Sequence, residues 1–129
     1  MFSSKHITFD TSKTGLERSL GPLTAAVMNI VWNNGNQPIT VKEVWKRAEK
    51  DYQRKDLSYT TIASTMTRMY ANGLLKRQSS DAGAWLYSPA ETWNAYHKRV
   101  VFSIMDSFAG DETDLIYLRQ WLRDHEVEV

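Results

Sequence analysis

The fold of this chain is decided by residues 58–87, which read SYTTIASTMTRMYANGLLKRQSSDAGAWLY. Ser58 fits the N-cap of a helix and Asn72-Gly73 fits its end, because Ser accepts hydrogen bonds from free helical N–H groups and Gly tolerates left-handed backbone. Two short strands, at 74–78 and 84–87, then flank a polar turn. The stretch therefore predicts a helix followed at once by a β-hairpin.

Two amphipathic helices precede this stretch. Apolar residues recur at helical spacing from residue 20 onward and stop at Asn33-Asn34-Gly35. A second helix is predicted to begin at Thr40, because the Thr40 hydroxyl and Glu43 fit a capping box. Three helices followed by a hairpin is the order of a winged helix-turn-helix.

Two further helices are predicted after the hairpin. Ser88-Pro89-Ala90-Glu91 fits the start of the first, since Ser caps a helix, Pro suits its first turn and Glu reaches back. The fold class is mainly α with a small β-hairpin: a winged helix-turn-helix followed by a C-terminal helical region. We divide the chain into a flexible arm at residues 1–18, a winged-helix domain at 19–89 and a helical dimerisation region at 90–129.

Charge is distributed unevenly along the chain. Residues 38–78 carry nine basic and four acidic side chains, whereas residues 90–129 carry four and eight, although the net charge is only +1. A basic segment beside an acidic one suggests a surface that meets a polyanion next to a region with another role. Solvated surface charge that is segregated by accident is the alternative.

Composition and motifs exclude several classes of protein. The chain has no cysteine, which removes disulfides, thiol catalysis and Cys-based metal sites. Its three histidines, at positions 6, 97 and 125, lack the spacing of metal ligands. No P-loop or nucleophile motif is present, so we expect no enzyme, cofactor or metal. Residues 1–10 contain no apolar segment of the kind found in signal peptides, and no apolar run is long enough to span a membrane, so we expect a cytoplasmic protein.

The third predicted helix has an apolar and a polar face. At about 100° per residue, the inward side carries Tyr59, Ile62, Met66, Met69 and Tyr70. The opposite side carries Thr60, Thr61, Ser64, Thr67 and Arg68. Slim hydroxyl side chains let a helix approach the major groove closely, and one Arg binds guanine or phosphate. Solvated faces usually mix Glu and Lys instead, so this face predicts a recognition helix that binds DNA.

Basic residues on the flanking elements are the predicted phosphate contacts. Lysines recur every four residues on the second helix, at positions 42, 46 and 50, and in a helix-turn-helix this helix crosses the phosphate backbone. A solvated helix face explains that stripe equally well. Neighbouring residues of a strand point to opposite sides, so at most one of the two bases on the first wing strand faces DNA. The predicted set is Lys42, Lys46, Lys76 and Arg77.

The C-terminal helices are too apolar to be covered by a small winged helix alone. Exposed apolar surface of this extent is typical of an assembly interface, and a symmetric dimer is the default. Packing onto the chain's own domain is the alternative. The predicted homodimer interface comprises Trp93, Tyr96, Val100, Ile104, Phe108, Leu115, Leu118, Trp121 and Leu122.

An ordered set of motifs runs from about residue 20 to residue 110. It comprises Leu20-Gly21-Pro22-Leu23, Val27-Met28, Trp32, Thr40-Val41-Lys42-Glu43-Val44, Tyr59-Thr60-Thr61-Ile62, Thr65, Arg68, Gly73-Leu74-Leu75-Lys76-Arg77 and Tyr87-Ser88-Pro89-Ala90. Together these motifs resemble the penicillinase-repressor family (BlaI/MecI type), small winged-helix transcriptional repressors that act as dimers. The resemblance implies that the face at residues 60–68 enters the major groove of a pseudo-palindromic operator, and that residues 91–122 form the homodimer.

The chain departs from this family at the wing and near the C-terminus. Ala84 follows Gly83, where the family often has a basic residue that contacts phosphate. After Gly110 the chain lacks the stretch at which antibiotic-responsive members are cut when a membrane sensor-protease signals, and it lacks the cysteines of copper-responsive members. Neither route of induction is therefore expected for this chain. An upstream signalling protein is a candidate partner, and the sequence does not identify its class.

Two other functions are compatible with the sequence. A winged helix that binds a protein rather than DNA would explain the weak basic charge and the acidic wing tip. A regulator that responds to a small molecule would need a pocket, for which the candidate lining is Trp93, Tyr96 and Trp121.

Overall fold

The computed structural model describes residues 17–51 and 53–126. Its elements, in chain order, are α1 (Glu17–Leu20), α2 (Pro22–Trp32), α3 (Val41–Asp51), α4 (Tyr59–Ala71), β1 (Leu75–Ser79), β2 (Trp85–Pro89), α5 (Trp93–Ala109) and α6 (Glu112–Asp124). The predicted fold class, a winged helix-turn-helix followed by helices, is confirmed. None of the helices in this part of the chain has the length and apolar content needed to cross a lipid bilayer.

The first predicted helix is divided in two at Gly21. Gly21 has a φ of 82°, a left-handed conformation that interrupts the helix and that Gly adopts without strain. Glu17 and Arg18 of the predicted arm belong to the short α1, while residues 1–16 of that arm lie outside the described residues. The predicted helix end at Asn33 is confirmed.

Two of the three predicted N-caps, Thr40 and Ser58, are confirmed. The backbone N–H of Glu43 donates to Thr40 Oγ1 over 3.2 Å at the start of α3. The backbone N–H of Thr61 donates to Ser58 Oγ over 3.1 Å at the start of α4. These bonds satisfy helical N–H groups that lack an intrahelical partner and so fix where each helix begins.

The wing is an antiparallel pair that is longer than predicted. Leu75 lies opposite Pro89 and Ser79 lies opposite Trp85. Ile39, in the segment between α2 and α3, adds a third short partner: its N–H donates to the Tyr87 carbonyl, and its carbonyl accepts a bond from the Tyr87 N–H, both over 2.8 Å. The base of the wing is therefore held by the helical part of the domain.

The predicted helix start at residues 88–91 is wrong. Ser88 and Pro89 belong to β2, and the Ala90 N–H donates to the Leu74 carbonyl over 3.0 Å, which extends the strand pairing. The cap of α5 is Thr92, whose Oγ1 accepts a bond from the Ala95 N–H over 3.0 Å. Pairing with β1 overrides the local capping signal, because the ladder satisfies backbone groups over several residues.

One apolar core joins the winged helix to the first half of α5. The core cluster comprises Val27, Met28, Ile30, Val31, Ile39, Val44, Ala48, Ile62, Met66, Met69, Leu74, Leu75, Tyr87, Tyr96 and Val100. Two polar contacts also link the winged helix to the residues at the start of α5. The Trp32 indole N–H donates to the Glu91 carbonyl over 2.9 Å, and the hydroxyls of Ser19 and Tyr96 are 2.8 Å apart. Burial raises the pKa of Tyr96, so this phenol stays neutral at physiological pH.

Candidate nucleic-acid interface

The outer face of α4 is exposed and carries no acidic side chain. Its members, as predicted, are Thr60, Thr61, Ser64, Thr67 and Arg68, and all five are exposed. Ile62, Met66 and Met69 are buried on the opposite side. The prediction that both tyrosines point inward is wrong, because Tyr59 and Tyr70 are 47% and 42% exposed on the flank of the helix. The face therefore offers hydroxyl groups and one cation, bordered by aromatic rings.

The four hydroxyl groups of this face differ in whether they already have a hydrogen-bond partner among the described residues. Thr61 Oγ1 lies 2.9 Å from Ser58 Oγ, and the Thr67 hydroxyl donates to the Ala63 carbonyl over 3.0 Å. Within residues 17–51 and 53–126, the hydroxyls of Thr60 and Ser64 have no protein partner. Because they lie one turn apart, these two are the groups best placed to exchange hydrogen bonds with a ligand.

Arg68 is steered by a residue that the sequence analysis did not assign to the site. Thr65 is only 2% exposed, and its Oγ1 accepts a bond from an Arg68 guanidinium nitrogen over 3.4 Å. The spacing of three residues on one helix is the signal that could have revealed this pair. The long Arg68 side chain is thereby directed from the outer face toward the flank of α4 near α1 and α2, where it lines a cavity with Ser19 and Thr24.

The α3 lysines lie on the side of the domain where α4 begins. Lys42 lines a groove of about 440 Å³ together with Thr67 of α4 and Trp85 of the wing. Lys46 lines a second cavity, of about 690 Å³, with Lys50 and with Lys55 of the α3–α4 connection. Lys42 is thus beside the outer face of α4, while Lys46 extends the basic surface toward the N-terminus of that helix.

The two bases of β1 point to opposite faces of the ribbon, as predicted. Arg77 lies on the face toward α4, and its guanidinium carbon is 4.1 Å from the centre of the Tyr70 ring and 4.2 Å from that of Trp85. Lys76 lines a cavity near the start of α5 with Gly73 and Glu91. Arg77 and Tyr70 line the same cavity, so both bases lie near the C-terminal end of α4, on opposite faces of the ribbon.

A family model described as Penicillinase repressor matches residues 20–122, which is most of the chain. The chain belongs to the penicillinase repressor family. A search of curated proteins gives no match. Among solved structures, the ferric uptake regulator from Pseudomonas aeruginosa with manganese is similar, with 18% identity and a TM-score of 0.45. That similarity spans about half of each chain: 52% of this one and 48% of the other.

In this member of the penicillinase repressor family, the match covers the winged helix and the C-terminal helices as far as residue 122. Its winged helix supplies the exposed hydroxyl-rich face of α4, with the N-terminal part of α3 and the wing on one flank. Residues 17–51 and 53–126 contain no group of three or more His, Asp or Glu side chains placed to hold a metal ion.

The C-terminal helices leave an apolar surface open. Tyr96 and Val100, predicted in the dimer interface, are core residues of their own chain, 1% and 6% exposed, and Ile104 packs against that core. Phe108, Leu115, Leu118 and Leu122 are half-buried. Trp93 and Trp121 of the predicted interface are exposed, as are five large apolar side chains that were not predicted: Val101, Phe102, Met105, Ile116 and Tyr117. Both α5 and α6 thus carry exposed apolar side chains, and most of these are not the residues predicted for the dimer interface.

Proposed function

We propose that this protein is a homodimeric repressor that binds a pseudo-palindromic operator, with α4 of each protomer in the major groove. The observation that carries the proposal is the outer face of α4, which is exposed, rich in short hydroxyl side chains and free of carboxylates. A helix of this kind approaches base edges without electrostatic repulsion from the phosphates.

The free hydroxyls and the cation of α4 are the proposed base-reading groups. Thr60 and Ser64 present hydroxyls without protein partners among the described residues, and Arg68 has the fork geometry that binds guanine O6 and N7. Thr61 and Thr67 border these groups and contact the backbone or sugar edge. In this arrangement the hydrogen bond from Arg68 to the buried Thr65 hydroxyl orients the guanidinium.

Lysines beside α4 are the proposed phosphate contacts. Lys42 and Lys46 are exposed on α3, and the earlier helix of a helix-turn-helix crosses the DNA backbone. Lys76 is the predicted base of the wing that we retain as a phosphate contact, from the outer face of the ribbon. Arg77, predicted beside it, stacks instead on the rings of Tyr70 and Trp85 at 4.1 Å and 4.2 Å, and we propose no phosphate contact for it.

A second copy of the chain is the proposed cover for the apolar surface of α5 and α6. Tyr117 is 65% exposed and Phe102 is 55% exposed, and contiguous apolar surface of this kind marks an interaction site. A two-fold symmetric dimer pairs identical patches and presents two copies of α4 to two half-sites of an operator. We place the dimer in the cytoplasm, beside the DNA that it regulates.

The proposal that a small molecule binds between Trp93, Tyr96 and Trp121 is not supported. Tyr96 lies in the core and offers no open surface. The Trp93 ring stacks on His97 at 3.8 Å and the Trp121 ring stacks on His125 at 4.0 Å, each within its own helix. Each of these two tryptophan rings thus packs on a histidine of its own helix, and they share no pocket with Tyr96 in the cavities of the described residues.

Capture of bound genomic DNA, followed by titration of the purified full chain with the best site, tests the proposal. We expect a palindromic motif and a steep fall of log K with log salt, because each phosphate contact contributes about 0.9 to that slope. The double variant Lys42→Gln/Lys46→Gln is expected to reduce the slope by about 1.8. A matched loss of two charges on α6, Arg119→Gln/Arg123→Gln, should leave the slope unchanged. A flat slope for the wild-type protein would instead favour a protein partner for the winged helix.

A further inference from the structure

The wing ends in a rigid turn without a cation. The Ser80 N–H donates to the Ala84 carbonyl over 2.8 Å, and Ser80 Oγ accepts from the Ala84 N–H over 3.1 Å. Asp81 is the charged residue of this turn and it is exposed. A turn of this composition repels phosphate, so a wing that contacts DNA here must use another group.

Trp85, the first residue of β2, is such a group. Its side chain is 46% exposed, although it lies on the ribbon face that is directed toward α4. The Arg77 guanidinium is sandwiched between Trp85 and Tyr70, 4.2 Å and 4.1 Å from the two ring centres. Stacking of this kind stabilises a ring–cation geometry, so Arg77 holds the indole in a fixed orientation and links the wing to the end of α4.

The indole forms one wall of the groove beside α4. Trp85 and Ala84 face Ala63 and Thr67 across this groove, whose volume is about 440 Å³, and Lys42 lies at its edge. Thr67 and Lys42 also belong to the proposed DNA interface. The groove is therefore continuous with that interface and combines an apolar wall with a single cation.

We infer that Trp85 is the DNA-contacting side chain of the wing, and that it packs against the deoxyribose edge of the operator strand that passes Lys42. This inference rests on the proposed function. A sugar presents an apolar face flanked by phosphates, so an indole wall beside one lysine matches its chemistry. Arg77 is a positioning residue: it orients Trp85 and does not itself neutralise a phosphate.

The inference makes a prediction about salt that separates apolar from ionic contacts. Trp85→Ala in the full chain is expected to weaken operator binding about tenfold, with an unchanged slope of log K against log salt, because no counterion is released at this contact. Trp85→Phe keeps an aromatic wall and should retain most of the affinity. Gln78→Ala, on the opposite face of the ribbon, is the matched control and should bind as the wild type does.

Arg77→Lys tests the positioning role, since it keeps the charge but loses the planar group that stacks between two rings. We expect Arg77→Lys to be weakened like Trp85→Ala, and the double variant to be no weaker than Trp85→Ala alone. The positioning role would be overturned if Arg77→Lys binds with wild-type affinity and Arg77→Met reduces the slope of log K against log salt by about 0.9. That combination would show that Arg77 contacts a phosphate.

The two hypotheses fail in different ways. Normal, salt-dependent binding by the wild type together with full affinity in Trp85→Ala would overturn the wing contact alone. Absence of salt-dependent DNA binding in the wild-type protein would remove the proposed function and the wing contact with it. Thermal unfolding of each variant confirms that a loss of affinity arises in a folded protein; the exposure of Trp85 makes a large loss of stability unexpected.

Discussion

Replacing Tyr117 by aspartate is expected to convert the dimer to monomers and to remove tight operator binding. Tyr117 is 65% exposed on α6 in the single chain, so a carboxylate there is solvated in the monomer and costs little stability. In the proposed dimer the same carboxylate is buried without a partner, which costs about 3–5 kcal/mol. At about 1.4 kcal/mol per tenfold, the dimer is weakened by roughly a hundredfold or more. Sedimentation equilibrium measures this change.

Phe102→Asp places the same test on the other helix of the surface. Phe102 is 55% exposed on α5, and we expect the same shift to monomers. Gln37→Glu, which adds a negative charge on the exposed segment between α2 and α3, is the control and should stay dimeric. Dimers of undiminished strength in both aspartate variants would show that the chains associate through another surface.

Replacing Arg68 by alanine is expected to weaken operator binding by about 1–3 kcal/mol and to relax its specificity at one base pair. Arg68 is exposed on the outer face of α4, and Thr65 Oγ1 accepts one of its guanidinium bonds over 3.4 Å. Alanine removes the guanidinium without disturbing the core. Titration of the natural operator and of single-base variants measures both effects.

The lysine variant at this position separates readout of a base from attraction to a phosphate. Lys keeps the charge but cannot form the planar two-bond contact with guanine. If Arg68 reads a base, Arg68→Lys loses most of the specificity; if it contacts a phosphate, Arg68→Lys binds almost normally. An operator affinity that is the same in Arg68→Ala as in the wild type would remove Arg68 from the interface.

Periodicity and capping residues were sufficient to predict the winged helix and the outer face of α4. Ser58 and Thr40 cap their helices as expected, because an N-cap depends on a hydroxyl and a few neighbouring N–H groups. A similar signal failed at Ser88, since pairing of β2 with β1 satisfies the same backbone groups. Local signals therefore predict helices well except where a strand competes for the same residues.

The sequence could not separate core from interface on α5. Tyr96, Val100, Val101 and Phe102 all have large apolar side chains, yet only the first two are buried against the winged helix. Periodicity shows that a helix is apolar on several sides but not which side its own domain covers. The contact between Arg77 and Trp85 could not be predicted for a related reason, because it depends on how the two strands and α4 pack together. The Thr65–Arg68 bond lies within one helix, and its spacing of three residues was the available signal.

The most direct test of the central claim is a cleavage map of the operator with a DNA-cutting iron chelate attached to α4. The chain has no cysteine, so Ala71→Cys, at the exposed C-terminal end of the α4 outer face, provides a single point of attachment. We predict two clusters of cuts in the major groove, symmetric about the centre of the site and separated by about one helical turn or a multiple of it. The same chelate on Gln120→Cys of α6 should give no such pattern. Two results would contradict an interface formed by α4. In the first, the protein binds the operator but the chelate on Ala71→Cys leaves the DNA uncut. In the second, the chelate on Gln120→Cys cuts the DNA and the one on Ala71→Cys does not.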